Sequence, residues 1–210
     1  MSLVYAEFLT ANTRRLLFLL HGYGADEQDL LSLTNELSQP WTAVAPRAPL
    51  ALDFGGYAWF GIEWLPDRKV LDLEVAQAHV EPLTALINAK IEEIHPSVVA
   101  VVGFSQGAMM ALAVADQLDP RVRGIALLSG MRLPFVTDLT RPRRFLVQHG
   151  SEDPVVPVAA GIACSDWLKA CNDETIYHEY PMGHGISPAS FRDLDAWLHH
   201  LVEDPASPIG

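Results

Sequence analysis

Unbroken apolar runs, rather than strict apolar–polar alternation, set the pattern of this chain. Residues 16–20, Leu-Leu-Phe-Leu-Leu, and 98–102, Val-Val-Ala-Val-Val, contain no polar side chain. Such runs mark strands buried on both faces. Further strands are predicted at 42–45, 124–129, 144–149 and 175–180, with an edge strand within 3–9. Between them lie helix-like stretches at 27–37, 72–94, 108–115, 157–171 and 188–202. His95-Pro96 stops the second of these, and Pro82 inside it predicts a kink or a division. Ser187-Pro188 supplies an N-cap and first turn for the last. Strands that alternate with helices predict an α/β fold, a mostly parallel sheet with helices on both faces. Residues 46–72 break the pattern: prolines, glycines, Trp59, Phe60 and Trp64 make them the longest irregular stretch. A loop of that length is either functional or pinned down by its own aromatic mini-core.

In parallel sheets ligands sit beyond the carboxyl ends of the strands, so the residues after each strand carry the information. The run 98–102 leads into Gly103-Phe104-Ser105-Gln106-Gly107 and then a small-residue helix. Strand, G-x-S-x-G, helix is the context of a nucleophile elbow. The tight turn strains the serine backbone, flanking glycines remove clashes, and the hydroxyl ends near the positive end of a helix. A serine hydroxyl is a weak nucleophile and needs a base. Histidine suits, because its ordinary pKa lies near neutrality, and a carboxylate can orient and stabilise it. Asp153 follows the strand at 144–149 and His184 follows the last strand. The order Ser105, Asp153, His184 is that of α/β-hydrolases. The expected oxyanion donors are the amide of Gln106 and, from the loop His21-Gly22-Tyr23-Gly24, the amide of Tyr23. Trp59, Phe60 and Trp64 are expected to line an apolar substrate groove beside Tyr23. Blander roles exist for each residue. Asp153 can cap a loop before Pro154, and His184 can be a surface residue between glycines. His21 and His149 are rival bases, though each ends a strand and suits tight packing. Asp26 is a rival acid better placed to start a helix.

Charge and composition narrow the functional classes. Fourteen Lys and Arg against 26 Asp and Glu give a net charge of −12, which repels nucleic acid and anionic membrane surfaces. The apolar stretch at 108–115 is far short of the ~18 residues of a membrane span, so no stable membrane insertion is expected. Residues 14–20 begin like a signal peptide, but the run stops at His21. The two cysteines, Cys164 and Cys171, lie seven apart, about 10 Å along a helix, too far for a disulfide there. They suit a reducing, cytoplasmic setting. The 210 residues predict one domain, 1–210, with 203–210 as a frayed tail. Residues 130–143 are too few for a cap domain. No C-x-x-C, H-E-x-x-H or phosphate-cradling motif occurs, so neither a metal nor another cofactor is expected. The expected partner is a small-molecule ester; a homodimer is compatible with the sequence.

From Leu16 to about Leu201 the chain resembles the phospholipase/carboxylesterase family of α/β-hydrolases, which includes the acyl-protein thioesterases. The likeness rests on Leu20-His21-Gly22-Tyr23-Gly24-Ala25-Asp26, Gly103-Phe104-Ser105-Gln106-Gly107-Ala108, His149-Gly150-Ser151-Glu152-Asp153-Pro154-Val155-Val156-Pro157, and Gly183-His184. It implies hydrolysis of carboxylic esters, sometimes thioesters, by Ser105, Asp153 and His184, with oxyanion donors at Tyr23 and Gln106. Tyr23 stands where members often carry leucine, and Trp59-Phe60-Gly61 where many show Trp-Phe-Asp. Both departures border the expected substrate site. The reading is a serine carboxylesterase for short- to medium-chain esters. A thioesterase or lysophospholipase-type hydrolase, and a non-catalytic ligand-binding relative, are the alternatives.

Overall fold

In the computed structural model, which describes residues 3–171 and 174–203, the apolar runs build one seven-stranded sheet. In chain order the elements are β1 (Tyr5–Phe8), β2 (Arg15–Leu20), β3 (Thr42–Pro46), β4 (Leu50–Ala51), β5 (Tyr57–Ala58), β6 (Ile62–Trp64), β7 (Lys69–Leu71), α1 (Leu73–Ala78), α2 (Val80–Ile94), β8 (Val98–Phe104), α3 (Gln106–Val114), β9 (Val122–Leu128), β10 (Arg144–Gly150), α4 (Val158–Cys171), β11 (Thr175–Tyr180) and α5 (Pro188–Glu203). The sheet order is β1-β3-β2-β8-β9-β10-β11. All neighbours are parallel except β1, which runs antiparallel along the edge of β3. From β2 the chain steps outward to β3, and from β8 it steps the other way through β9 and β10 to β11. The crevice between the ends of β2 and β8 is therefore the topological switch point, the place where such sheets bind ligands.

The two-sided burial read from the apolar runs follows the pleat. Leu16, Phe18 and Leu20 of β2, with Val99 and Val101 of β8, face one core shared with α2, α3 and α4. Leu17 and Leu19, with Val98, Ala100 and Val102, face a second core closed by α5 and Trp41. The helix expected over 72–94 is divided at His79, and Pro82 sits in the first turn of α2, where its missing N–H costs no intrahelical bond. Asp72 caps α1 by accepting from the Val75 amide at 3.1 Å, and His95 ends α2 at φ 51°. The helix expected over 27–37 is reduced to a 3₁₀ turn at Leu31–Asn35. One tertiary demand and one local turn override propensity there. Glu27 is drawn into a two-pronged ion pair with Arg47, and Asp26 folds back to accept from the Gln28 amide. Residues 46–72 are less irregular than their composition implies, since they hold the small ribbons β4–β5 and β6–β7. Residues 129–143 contain no helix or strand, so no cap domain is inserted between β9 and β10. Of the expected tail, only Glu203 is among the described residues, and it closes α5.

At the turn from β8 to α3, Ser105 adopts φ 55° and ψ −117°, strained geometry for any residue with a side chain. Gly107 makes it affordable. A Cβ there would strike the carbonyl oxygens of Leu20 and His21, so α3 can approach β2 only through this glycine. Gly107→Ala is therefore expected to destabilise the protein by at least ~2 kcal/mol. A denaturant midpoint left within error of the parent would contradict it.

Candidate active site

Three loops at the carboxyl edge of the sheet deliver the three expected side chains to one point. Ser105 leaves β8, Asp153 follows β10 and His184 follows β11. His184 Nδ1 lies 2.7 Å from Asp153 Oδ2, and its Nε2 lies 2.9 Å from Ser105 Oγ. A carboxylate only accepts, so Nδ1 carries the proton and Nε2 presents its lone pair to the Ser105 hydroxyl. Asp153 is buried. Burial alone would raise its pKa, yet the hydrogen bond from His184 and the amides of Val156 and Val155 outweigh it. They hold the carboxyl below the usual range. Those two amides reach Oδ1 at 2.9 and 2.8 Å, which leaves Oδ2 for His184. Phe104 packs on the His184 ring with centroids 4.9 Å apart.

Gln106 is the first residue of α3, so its amide is one of the donors a helix leaves unpaired. Among the described residues, neither this amide nor that of Tyr23 donates to a backbone carbonyl. The loop carrying Tyr23 is fastened from below. His21 is buried, donates from Nδ1 to its neighbour's carbonyl at 2.8 Å and accepts from the Ala48 amide at 3.0 Å. Desolvation holds its pKa below the ordinary value, so it stays neutral and structural. Asp26, the rival acid, is spent on its own turn.

The side chain of Gln106 was not singled out by the sequence, although its place inside G-x-S-x-G was the signal available. Its Oε1 accepts from the Trp59 amide at 3.0 Å and its Nε2 donates to the Phe60 carbonyl at 2.8 Å. Trp59 corrects an expectation. It is fully buried, donates from Nε1 to the His21 carbonyl at 2.9 Å and does not line the groove. Its indole is more valuable as a brace between the 46–72 stretch and β2, where apolar burial and a satisfied N–H coincide. His79 completes the brace by donating from Nδ1 to the Trp59 carbonyl at 2.7 Å.

A groove of about 690 Å³ opens over Ser105 and His184, and Tyr23, Phe60, Trp64, Met109, Met131 and Val156 are among its walls. Phe60 lies in its floor, and Trp64 stands at its mouth, 55 % exposed. Lys69 lies over the Trp64 ring at 4.4 Å and donates to the Val155 carbonyl at 2.7 Å, tying the β6–β7 ribbon to the loop of Asp153. The methionines and valines of the wall went unnoticed in the sequence, because only the fold brings them to the serine. Among the described residues, no helix is long and apolar enough to cross a membrane.

Comparison with known proteins places this geometry in context. The model of the phospholipase/carboxylesterase family matches residues 9–202. A probable carboxylesterase of Oryza sativa subsp. japonica is 30 % identical over 91 % of this chain and 79 % of its own length. Acyl-protein thioesterase 1 of Saccharomyces cerevisiae is 28 % identical over 88 % of this chain and 92 % of its own. The crystal structure of esterase PE8 superposes with a TM-score of 0.80 at 27 % identity, covering 95 % of this chain and 98 % of that one. The Bacillus cereus carboxylesterase, at 19 % identity and a TM-score of 0.82, covers 95 % of this chain and 94 % of its own, and shares the fold. With its sheet, its elbow and nearly its whole length matched, the chain belongs to the phospholipase/carboxylesterase family of α/β-hydrolases.

Proposed function

We propose that this protein is a serine carboxylesterase in which Ser105 is the nucleophile, His184 the general base and acid, and Asp153 the orienting carboxylate. The observation that carries the reading is the unbroken hydrogen-bond chain Ser105–His184–Asp153 at the mouth of an apolar groove. Ser105 Oγ attacks the ester carbonyl as its proton passes to His184 Nε2. The carbonyl oxygen becomes an oxyanion, received by the amides of Gln106 and Tyr23. Collapse expels the alcohol, which takes its proton from His184. Water, activated by the same imidazole, then releases the acid and regenerates the serine. Asp153 remains a carboxylate throughout and stabilises the imidazolium.

The groove sets the substrate class. Its walls are mainly apolar, with Asp29, Arg68 and Lys69 as the charged exceptions. Short to medium acyl chains gain about 0.8 kcal/mol per buried methylene until it is full. The free thiols, Cys164 buried and Cys171 exposed, support a cytoplasmic setting for an enzyme of one domain.

Ser105→Ala is expected to lower kcat on a chromogenic ester at least ~10⁴-fold with an unchanged circular dichroism spectrum. An organophosphonate probe should label Ser105 alone. A folded, fully active alanine variant would remove the reading. Asp153→Asn should cost on the order of 10³–10⁴ in kcat, since an amide cannot hold the required histidine tautomer. Asp26→Asn, measured alongside, should stay within about tenfold of the parent, and the reverse ranking would transfer the acid role. The pH profile follows from the lowered pKa of Asp153. Because its folded value lies below its unfolded one, it stays ionised, and its contribution to stability is lost only as pH falls through that lowered value. Asp153 should therefore add no limb of its own to kcat/KM above that value, and the acid side of the profile should be one limb, that of the general base. A flat profile, or two carboxylate-like limbs, would count against this assignment.

A further inference from the structure

His149 belongs to a stretch shared with the family, yet the mechanism above leaves it without a task. It is the penultimate residue of β10, its side chain is fully buried, and its ring lies against the Asp153 carboxylate. Nε2 lies 2.9 Å from the Val156 carbonyl. A carbonyl only accepts, so Nε2 carries the proton and donates. The same Nε2 stands 3.4 Å from Asp153 Oδ2, the oxygen that receives His184. Nδ1 has no hydrogen-bond partner among the described residues. A ring that leaves one nitrogen unpaired in the interior is costly, and such groups call for an explanation.

The explanation lies in the segment 153–156. Val156 is held from both sides: its amide donates to Asp153 Oδ1 at 2.9 Å, and its carbonyl takes the His149 proton. The loop bearing the carboxylate is thus closed against β10 by one imidazole. Gly161 of α4 leaves the space that ring needs, since a Cβ there would overlap His149 Nδ1. Asp153 is the titratable group within ion-pair distance of His149 among the described residues.

We propose that His149 is a positioning residue for Asp153. By holding the Val156 carbonyl it fixes the loop so that Oδ2 faces His184. The inference rests on the catalytic reading above. Failure of that reading shows as an active Ser105→Ala variant, whereas failure of this one shows in an enzyme that still requires Ser105.

The test compares His149→Leu, which removes the donor, with His149→Gln, which keeps an N–H of similar reach. Each is assayed for kcat and KM on a short neutral ester from pH 5 to 9, with folding checked by thermal melting. His149→Leu should lower kcat about 10- to 100-fold with KM within about twofold of the parent, as expected when a supporting contact of a catalytic group is lost. Its acid limb should move to lower pH, because an Oδ2 no longer held facing His184 stabilises the imidazolium less. His149→Gln should restore most of kcat and return the limb toward the parent position. If the leucine variant does not fold, Gly161→Ala, which displaces the ring and keeps every hydrogen-bonding group, should show the same loss of kcat at constant KM. An unshifted limb with parental kcat in a folded His149→Leu or Gly161→Ala variant overturns the proposal. So does a glutamine variant as impaired as the leucine one with the limb unmoved.

Discussion

The close approach of Gly107 to the carbonyl of Leu20 is the contact on which the site depends. It lets α3 start directly above the end of β2, with no side chain between helix and strand. Three consequences follow from that one distance. Ser105 is forced into its left-handed turn. Gln106, the first residue of α3, is placed at the groove beside the switch point of the sheet. The loop after β2, with Tyr23, is brought against the elbow, so both expected oxyanion donors derive from one piece of packing. The Ser105 amide is itself tied to Leu128 of β9 at 2.8 Å, which anchors the strained turn to the next strand.

Around this contact the structure solves a second problem, the burial of polar groups. A buried carboxylate is tolerable only if its oxygens are supplied with donors. Asp153 receives two amides on one oxygen and an imidazole on the other, and its pKa falls despite desolvation. The Gln106 amide group is treated the same way. Both of its heteroatoms bond the peptide groups of Trp59 and Phe60. That pairing ties the elbow to the 46–72 stretch, which carries part of the groove wall. Trp59 and His79 extend the coupling to β2 and α1.

The groove is shaped by the division of labour among aromatic residues. Trp59 faces inward and supplies rigidity, Phe60 floors the cavity, and Trp64 stands at its rim under the Lys69 ammonium. The ribbon that carries Trp64 and Lys69 reaches across to Val155, whose amide also serves Asp153. The groove wall and the Asp153 carboxylate thus share a peptide segment.

Much of this was legible in the chain itself. Continuous apolar runs located the central strands β2 and β8, because two-sided burial demands apolar residues at every position. The G-x-S-x-G between a strand and a helix located Ser105, and the residues after the later strands located Asp153 and His184, because parallel sheets present their loops on one rim. Sequence alone could not decide which aromatic faces the groove. Neighbouring residues in irregular backbone have no fixed period, and Trp59 turns inward to satisfy its N–H on His21. Nor could it foresee the loss of the helix over 27–37, since the competing Glu27–Arg47 pair joins residues distant along the chain. The chain by itself determined the strands, the elbow and the choice of Ser105, Asp153 and His184 as candidates, all written in local pattern. Tertiary structure alone decided their registry to within a hydrogen bond, the floor and rim of the groove, and the place of His149 against the carboxylate, because these depend on contacts between segments that no local pattern records.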